Sequence, residues 1–437
     1  MVVGRSMFLA VAFALTFGLL FLAVPLNAAR KETVLHSFTG GSDGGQPYSS
    51  VTLDGAGNVY GTTYGGGAYG GGTVYELTPS KNGNWREKVL YSFCSQGGSS
   101  CTDGGQPMGQ LIFDSAGNLY GTTMAGGANL GGIVFELVRG KNNTWTENIL
   151  YNFCSNSCID GAGPEAGVTF DKVGNLYGTT YYGGLLSGGV VYQLVPGQSG
   201  SWTENLLYTF CEIGSLYCED GNYPMGGVVL DTAGNVYGTT SSGGLHNVGA
   251  VYQLTPGAGG AWTETVLHSF GSNNDQLYDG ISAYASLLLD AQGNLYGTTG
   301  YGGNGNSGTV FELSPGQDGA WTENVYSLPY ATQTGYVPDG SVASDAKGNL
   351  YTTAFWGGAY QGACPYFYGG QGFGCGVVFE LTKSAGNWKQ EILYNFKPTN
   401  DAQNPISGVT LDSTGNLYGT GIEGGAHGYG AVYEITK

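Results

Sequence analysis

"GNLYGTT", residues 117–123, returns nearly unchanged along the whole chain. The full element, Asp-x-x-Gly-Asn-(Leu/Val)-Tyr, begins at Asp54, Asp114, Asp171, Asp231, Asp290, Asp345 and Asp412, at spacings of 55 to 67 residues. Self-similarity at such a period marks a repeat architecture. In the second copy four strand-like runs, "GQLIFD", "NLYGTT", "GIVFEL" and "WTENILYNF", are separated by turn residues and are designated A to D. Asp-x-x-Gly is short enough for an A–B hairpin, and C–D links such as Thr255-Pro256-Gly257-Ala258-Gly259-Gly260 are turn-rich. Four consecutive antiparallel strands make a sheet the size of a propeller blade.

The chain ends on a strand C, "GAVYEITK" (430–437), and "ETVLHSF" at 32–38 matches "ETVLHSF" at 264–270, a strand D, letter for letter. The early strand therefore supplies the missing outer strand of the last blade. An open solenoid gains nothing from splitting one repeat across both termini. The expected fold is all-β: a single seven-bladed β-propeller of four-stranded antiparallel blades over residues 30–437, with blade seven completed by 32–38. A composition of 82 Gly and 32 Tyr with 11% charged residues fits a turn-rich β protein.

Residues 1–29 read as a secretory signal, with Arg5 before the charge-free run Met7 to Val24 and small residues at Ala28-Ala29. The alternative is a retained anchor, because 18 residues just span a bilayer. Cleavage predicts a mature chain with no membrane span, secreted to an extracellular or periplasmic space. The cysteines fall into four close pairs, Cys94/Cys101, Cys154/Cys158, Cys211/Cys218 and Cys364/Cys375, which with a signal favour disulfides. Metal ligation by these cysteines would need histidines at ligand spacing, and the four histidines are isolated. A net charge of −18 repels phosphate backbones and argues against a nucleic-acid partner. A monomer is expected.

Seven tandem "GN(L/V)YGTT…GG…G.V(F/Y)(E/Q)L" units over residues 32–437 resemble the Gly-rich GloVer (Gloeo/Verruco) tandem repeats of exported bacterial proteins. The resemblance implies export and a propeller-like repeat architecture, and it implies no established reaction.

Alternation along strand B puts Tyr120 on one face and Leu119 and Gly121 on the other. The glycine recurs at 61, 121, 178, 238, 297 and 419, with Thr352 in its place once. The expectation is a packing code between blades, the Tyr of one copy filling space over the Gly of the next. The Asp of each A–B turn suits an Asx-capped hairpin or, alternatively, calcium. Strand C carries Glu76, Glu136, Glu312, Glu380 and Glu434 but Gln193 and Gln253, an interchange that favours hydrogen bonding over proton transfer. The Trp opening strand D (Trp85, Trp145, Trp202, Trp262, Trp321, Trp388) pins that strand to its turn; a sugar platform is the alternative. His36 and His268 occupy a position that is Tyr91, Tyr151 or Tyr394 elsewhere, and read as half-buried strand residues.

The variable D–A and B–C loops share one face, where propeller ligands commonly bind. The D–A loops carry Asp43, Asp103, Asp160, Asp220, Asp279 and Asp339, each followed by Gly, and a looser Asp401; they cap turns or ring the channel mouth. Unit six departs furthest, inserting "ACPYFYGGQGFGC" (363–375) inside a cysteine clip. Phe355, Trp356, Tyr360, Tyr366, Phe367, Tyr368 and Phe373, with Tyr301 from unit five, form the expected ligand surface, since exposed rings stack on sugars or apolar protein patches. The alternative is that they pack only the insertion. No catalytic set or metal centre is predicted, and calcium is the one cation the acidic loops suggest; Glu423 and His427 are the candidates should the propeller be a polysaccharide lyase or hydrolase. The leading expectation is a non-catalytic recognition propeller for glycan or protein, and a structural envelope role is the third.

Overall fold

The computed structural model describes residues 30–212, 218–271, 279–317, 319–329, 332–364, 373–384 and 386–436. The signal segment 1–29 and Tyr366, Phe367 and Tyr368 lie outside the described residues. Seven four-stranded antiparallel sheets form the seven blades, each in the order A-B-C-D. In blade two these are Ile112–Phe113, Leu119–Thr123, Ile133–Arg139 and Trp145–Asn152. Blade seven closes as expected: Lys31–Ser37 pairs antiparallel with Ala431–Thr436, from Lys31 opposite Thr436 to Ser37 opposite Ala431.

The core is divided into seven hydrophobic clusters, each between two neighbouring blades. Between blades one and two, Tyr60, Leu90 and Phe93 meet Leu111, Leu119, Phe135 and Leu137. The repeated string acquires three separate physical jobs here. A Cβ on Gly121 would lie 2.7 Å from Cζ of Phe135, the strand C ring of the same blade, and on Gly178 it would lie 2.6 Å from Cζ of Tyr192. The expected large-against-small fit is real, but its partner is corrected: the ring over the glycine comes from the adjacent strand, because residues 121 and 135 are directly opposed in the ladder. The strand B tyrosine does reach the next blade, where Tyr60 meets Phe113 edge-on at 5.0 Å. The first Thr staples blades together: Thr122, Thr179 and Thr239 donate to the carbonyls of Ala166, Gly226 and Ala285 of the following blade at 2.7–3.1 Å. The second Thr ties down its own B–C loop, as in Thr180 to the Tyr182 carbonyl at 2.7 Å.

The Asp of each A–B turn is a turn cap. Asp54 Oδ1 accepts from the Ala56 and Asn58 amides, and Oδ2 from the Asn58 side chain and the Tyr60 hydroxyl, at 2.8–3.2 Å. Burial pushes its pKa up, yet these donors hold it below the ordinary value. Glu76 accepts from the Tyr60 hydroxyl at 2.7 Å, and in blade three Gln193 instead donates to Tyr177, so the Glu/Gln interchange is one of hydrogen bonding. The strand D tryptophans pack into the seams: Trp262 of blade four lies edge-on to Tyr177 of blade three at 6.5 Å.

A second repeated device sits at the outer end of each seam. Tyr91 of strand D donates to Asp103 of the following loop at 2.9 Å, and Tyr151, Tyr208 and Tyr394 do the same to Asp160, Asp220 and Asp401. These loop acids therefore cap turns against the outer strands and do not ring the channel mouth. Asp401 is in register with them, whereas Asp339 is not: it follows Pro338, and Thr334 stands at the equivalent place before that proline. The next blade adds a glutamate to each such seam, as Glu147 does beside Asp103, and Oε1 of Glu87, Glu147, Glu204 and Glu264 is buried without a hydrogen-bond partner. Where the Asp is replaced by Thr334, the glutamate is replaced by Gln390, which donates to the Thr334 carbonyl at 2.9 Å.

Two outcomes follow from this packing. Gly178→Val drives a side chain into Tyr192 and should destabilise the fold by about 1–3 kcal/mol in chemical denaturation, with an unchanged midpoint counting against the packing role. Glu147 is raised from 4.5 to about 7 by burial and then by the charge of Asp103. A carboxyl raised in the folded state contributes stability below pH 4.5 that is lost as pH climbs through 7. Glu147→Gln should therefore raise the melting temperature by about 1–2 °C at pH 8 and leave it unchanged at pH 4 in thermal melts.

Candidate functional site

The short strands A surround a central cavity of about 450 Å³, lined by residues such as Ser50, Gln110, Thr169, Ser286 and Ser341, and none of its described lining side chains ionises. Chemistry is concentrated instead on the loop face. There, each blade pairs one D–A residue with one B–C residue through a short antiparallel bridge: Gly45 with Gly65, Gly105 with Ala125, Ala162 with Tyr182, Asn222 with Ser242, Ile281 with Tyr301, Tyr336 with Trp356, and Gln403 with Glu423. The backbone slot is constant and its side chains change from none, in the Gly45–Gly65 pair, to a tyrosine facing a tryptophan.

Blade six holds the aromatic extreme. Tyr336 and Trp356 exchange backbone hydrogen bonds at 2.9 and 3.0 Å, and their rings stack at 5.8 Å with 16° between planes. Phe373 joins both, 5.9 Å from Trp356 and 6.0 Å from Tyr336, while Phe355 meets Trp356 edge-on at 5.1 Å. Tyr301 reaches Tyr336 from blade five at 6.4 Å. Phe373 remains 49% and Tyr360 37% exposed, so this surface is open to solvent. The Cys364–Cys375 disulfide is buried beneath it, and the Gly357 amide donates to the Phe373 carbonyl at 2.9 Å, tying the returning chain to the B–C loop. The other three expected cysteine pairs are also disulfides: Cys94–Cys101, Cys154–Cys158 and Cys211–Cys218. A smaller aromatic group stands at blades three and four, where Tyr181 stacks on Tyr223 at 5.0 Å and Tyr182 flanks them.

Of the expected ligand residues, Tyr301, Phe355, Trp356 and Phe373 come together, and Tyr360 sits at the start of the insertion. Tyr336 was missed because it lies in the D–A loop, twenty residues away in sequence; its signal was a tyrosine where other copies carry Gly, Ala, Asn, Ile or Gln. Glu423 is paired with Gln403 and raised by burial, whereas His427 is exposed; His36 is held below its ordinary value chiefly by burial, with His427 adding a smaller push in the same direction. Among the described residues no hydrogen bond or ion pair joins Glu423 to His427.

Of two further acids, Glu165 was overlooked and Asp339 was grouped with the turn-capping acids. In six blades the position after the D–A proline, or after Ala283 in blade five, lies two residues before a channel-lining residue, and it is Glu165 in blade three and Asp339 in blade six. Burial raises Glu165 to about 7 and Asp339 to about 8, so each retains a proton near neutrality. Glu165, Tyr223 and Tyr284 all lie close enough to Tyr181 for their charges to disfavour its ionisation, although burial is the larger cause. A Cβ at Gly300 would lie 2.8 Å from Asp339 Oδ1 and 2.9 Å from the Tyr284 ring. Glu165 and Asp339 thus stand beside tyrosines, each two residues from the channel lining.

The Gloeobacter/Verrucomicrobia repeat model matches residues 18–219 and 212–364. No curated protein matches the chain in sequence. Among solved structures, the chain is similar to an ancestral GH74 enzyme at 12% identity and a TM-score of 0.52, covering 90% of this chain and 51% of that one. It is similar to a protein of unknown function from Dyadobacter fermentans at 11% identity and a TM-score of 0.43, covering 93% and 98%. A NanB sialidase from Streptococcus pneumoniae matches at 12% identity and a TM-score of 0.43, covering 94% and 71%. At these identities the GH74 likeness shows the propeller fold alone.

Proposed function

The chain belongs to the Gloeobacter/Verrucomicrobia repeat family, and on that premise we propose that it is an exported recognition propeller that binds a neutral glycan on its loop face. The observation that carries this reading is the Tyr336–Trp356–Phe373 surface, stacked, half exposed and braced by a disulfide. Flat aromatic faces suit the apolar faces of sugar rings, and a braced loop loses little freedom on binding. The charge of −18 disfavours uronates and sulfated chains, which makes neutral polysaccharides the matching class. Four short-range disulfides support export through residues 1–29.

A second reading, a glycosidic-bond-cleaving enzyme, draws on Glu165 and Asp339, each two residues from the channel lining, since a protonated carboxyl is the general acid such chemistry requires. Incubation with a panel of polysaccharides, with and without EDTA, separates the two: binding without product release favours recognition. Trp356→Ala combined with Phe373→Ala should weaken binding on a glycan array at least tenfold, about 1.4 kcal/mol, with the melting temperature unchanged. Undiminished binding by a folded double variant would overturn the proposed face. Retention of an apolar protein in place of any glycan would overturn the ligand class.

A further inference from the structure

At the seam between blades four and five one residue of the tyrosine–acid–acid set is changed. The strand D slot that is tyrosine in five blades is His268 here, and the loop and next-blade acids are both kept, as Asp279 and Glu323. His268 Nε2 lies 3.3 Å from Asp279 Oδ2 and 3.4 Å from Glu323 Oε1, and one ligand atom from each residue falls within 4.8 Å of the other two. Neither contact has the geometry of a hydrogen bond, for His268 Nε2 and Glu323 Oε1 are both buried without a hydrogen-bond partner.

We propose that His268, Asp279 and Glu323 form a binding site for one divalent transition-metal ion of the zinc or cobalt type. One imidazole nitrogen and two carboxylate oxygens suit such ions, leaving positions for water or a ligand. A neutral imidazole and two carboxylates carry two negative charges, which a divalent ion cancels. That cancellation matters because Asp279 is 1% exposed and Glu323 15% exposed, where two like charges side by side are costly. The chain has another solution to the same problem at the next seam, where Thr334 and Gln390 remove both charges. Retaining both acids and adding an imidazole is what a cation requires. The outer oxygen of Asp279 is already oriented, Oδ1 accepting from the Gly271 amide at 2.9 Å, and the ring of His268 is held edge-on by Phe270 at 5.1 Å. His268 also forms part of the wall of a surface cavity of about 500 Å³. The seam between blades seven and one keeps the same residue types, His36, Asp43 and Glu87, but there the ligand atoms do not all fall within 4.8 Å of one another.

The test uses the full mature chain stripped with a chelator and titrated with Zn2+ and Co2+ by calorimetry and visible absorption. His268→Tyr installs the residue of five other blades, and Glu323→Gln the residue of blade six, so both variants have a folding precedent within this protein. The expected result is one ion per chain, a Co2+ absorption band, and a Zn2+-dependent rise in melting temperature, with affinity lowered at least 100-fold in each variant and unchanged in His36→Tyr. No binding by the wild-type chain, or binding equally strong in His268→Tyr and Glu323→Gln, would overturn the site.

Discussion

The ring holds because its two ends share a blade. Residues 31–37 complete the sheet that residues 410–436 begin, and this ladder joins the first described strand to the last. The same seam is stapled near the axis, where Thr420 donates to the Ser49 carbonyl at 2.9 Å and Thr410 to the Val51 carbonyl at 2.6 Å. Without that closure blade seven would lack its outer strand and blade one would present an open apolar face. Every other seam is a copy of this one in packing, so the glycine, the threonines and the tyrosine of the repeated string are all answers to one geometric demand: seven wedges must fit round a circle.

That demand explains where variation is tolerated. Interior slots accept few exchanges, such as Tyr75 or Phe135 over their glycines and Thr352 opposite Phe379 in blade six. The loop-face slots have a fixed backbone and open space above it, so their side chains range from glycine to tryptophan at no cost to the ring. Binding chemistry accumulates there for the same reason that it accumulates on loops in general. The seams at the outer rim are intermediate: they accept tyrosine or histidine and acid or amide, and each exchange alters charge without altering the fold.

The architecture was legible in the sequence because repetition turns weak local signals into strong ones. A single Asp-x-x-Gly-Asn is a plausible turn; seven at similar spacing, with a strand D left over at the start, specify a count and a closure. The large-against-small logic of Tyr and Gly was also legible, but its partner was not. Strand alternation tells which face a residue takes, and it does not tell whether the space beside it is filled from the next strand or the next blade.

The site was legible only in part. Phe355, Trp356 and Phe373 announced themselves by breaking the pattern, while Tyr336, Glu165 and Asp339 did not, because their slots are defined by the fold of the D–A loop and not by a motif. Asp339 was grouped with the wrong acids for that reason: the Asp-Gly pair looks the same on either side of the proline. The sequence by itself determined the blade, the number of blades and the way the ring closes, since those depend on local periodicity repeated along the chain. Which residues meet across a seam, as His268, Asp279 and Glu323 do, was decided only by the tertiary structure, because they belong to three elements brought together by the curvature of the ring and not by their distance along the chain.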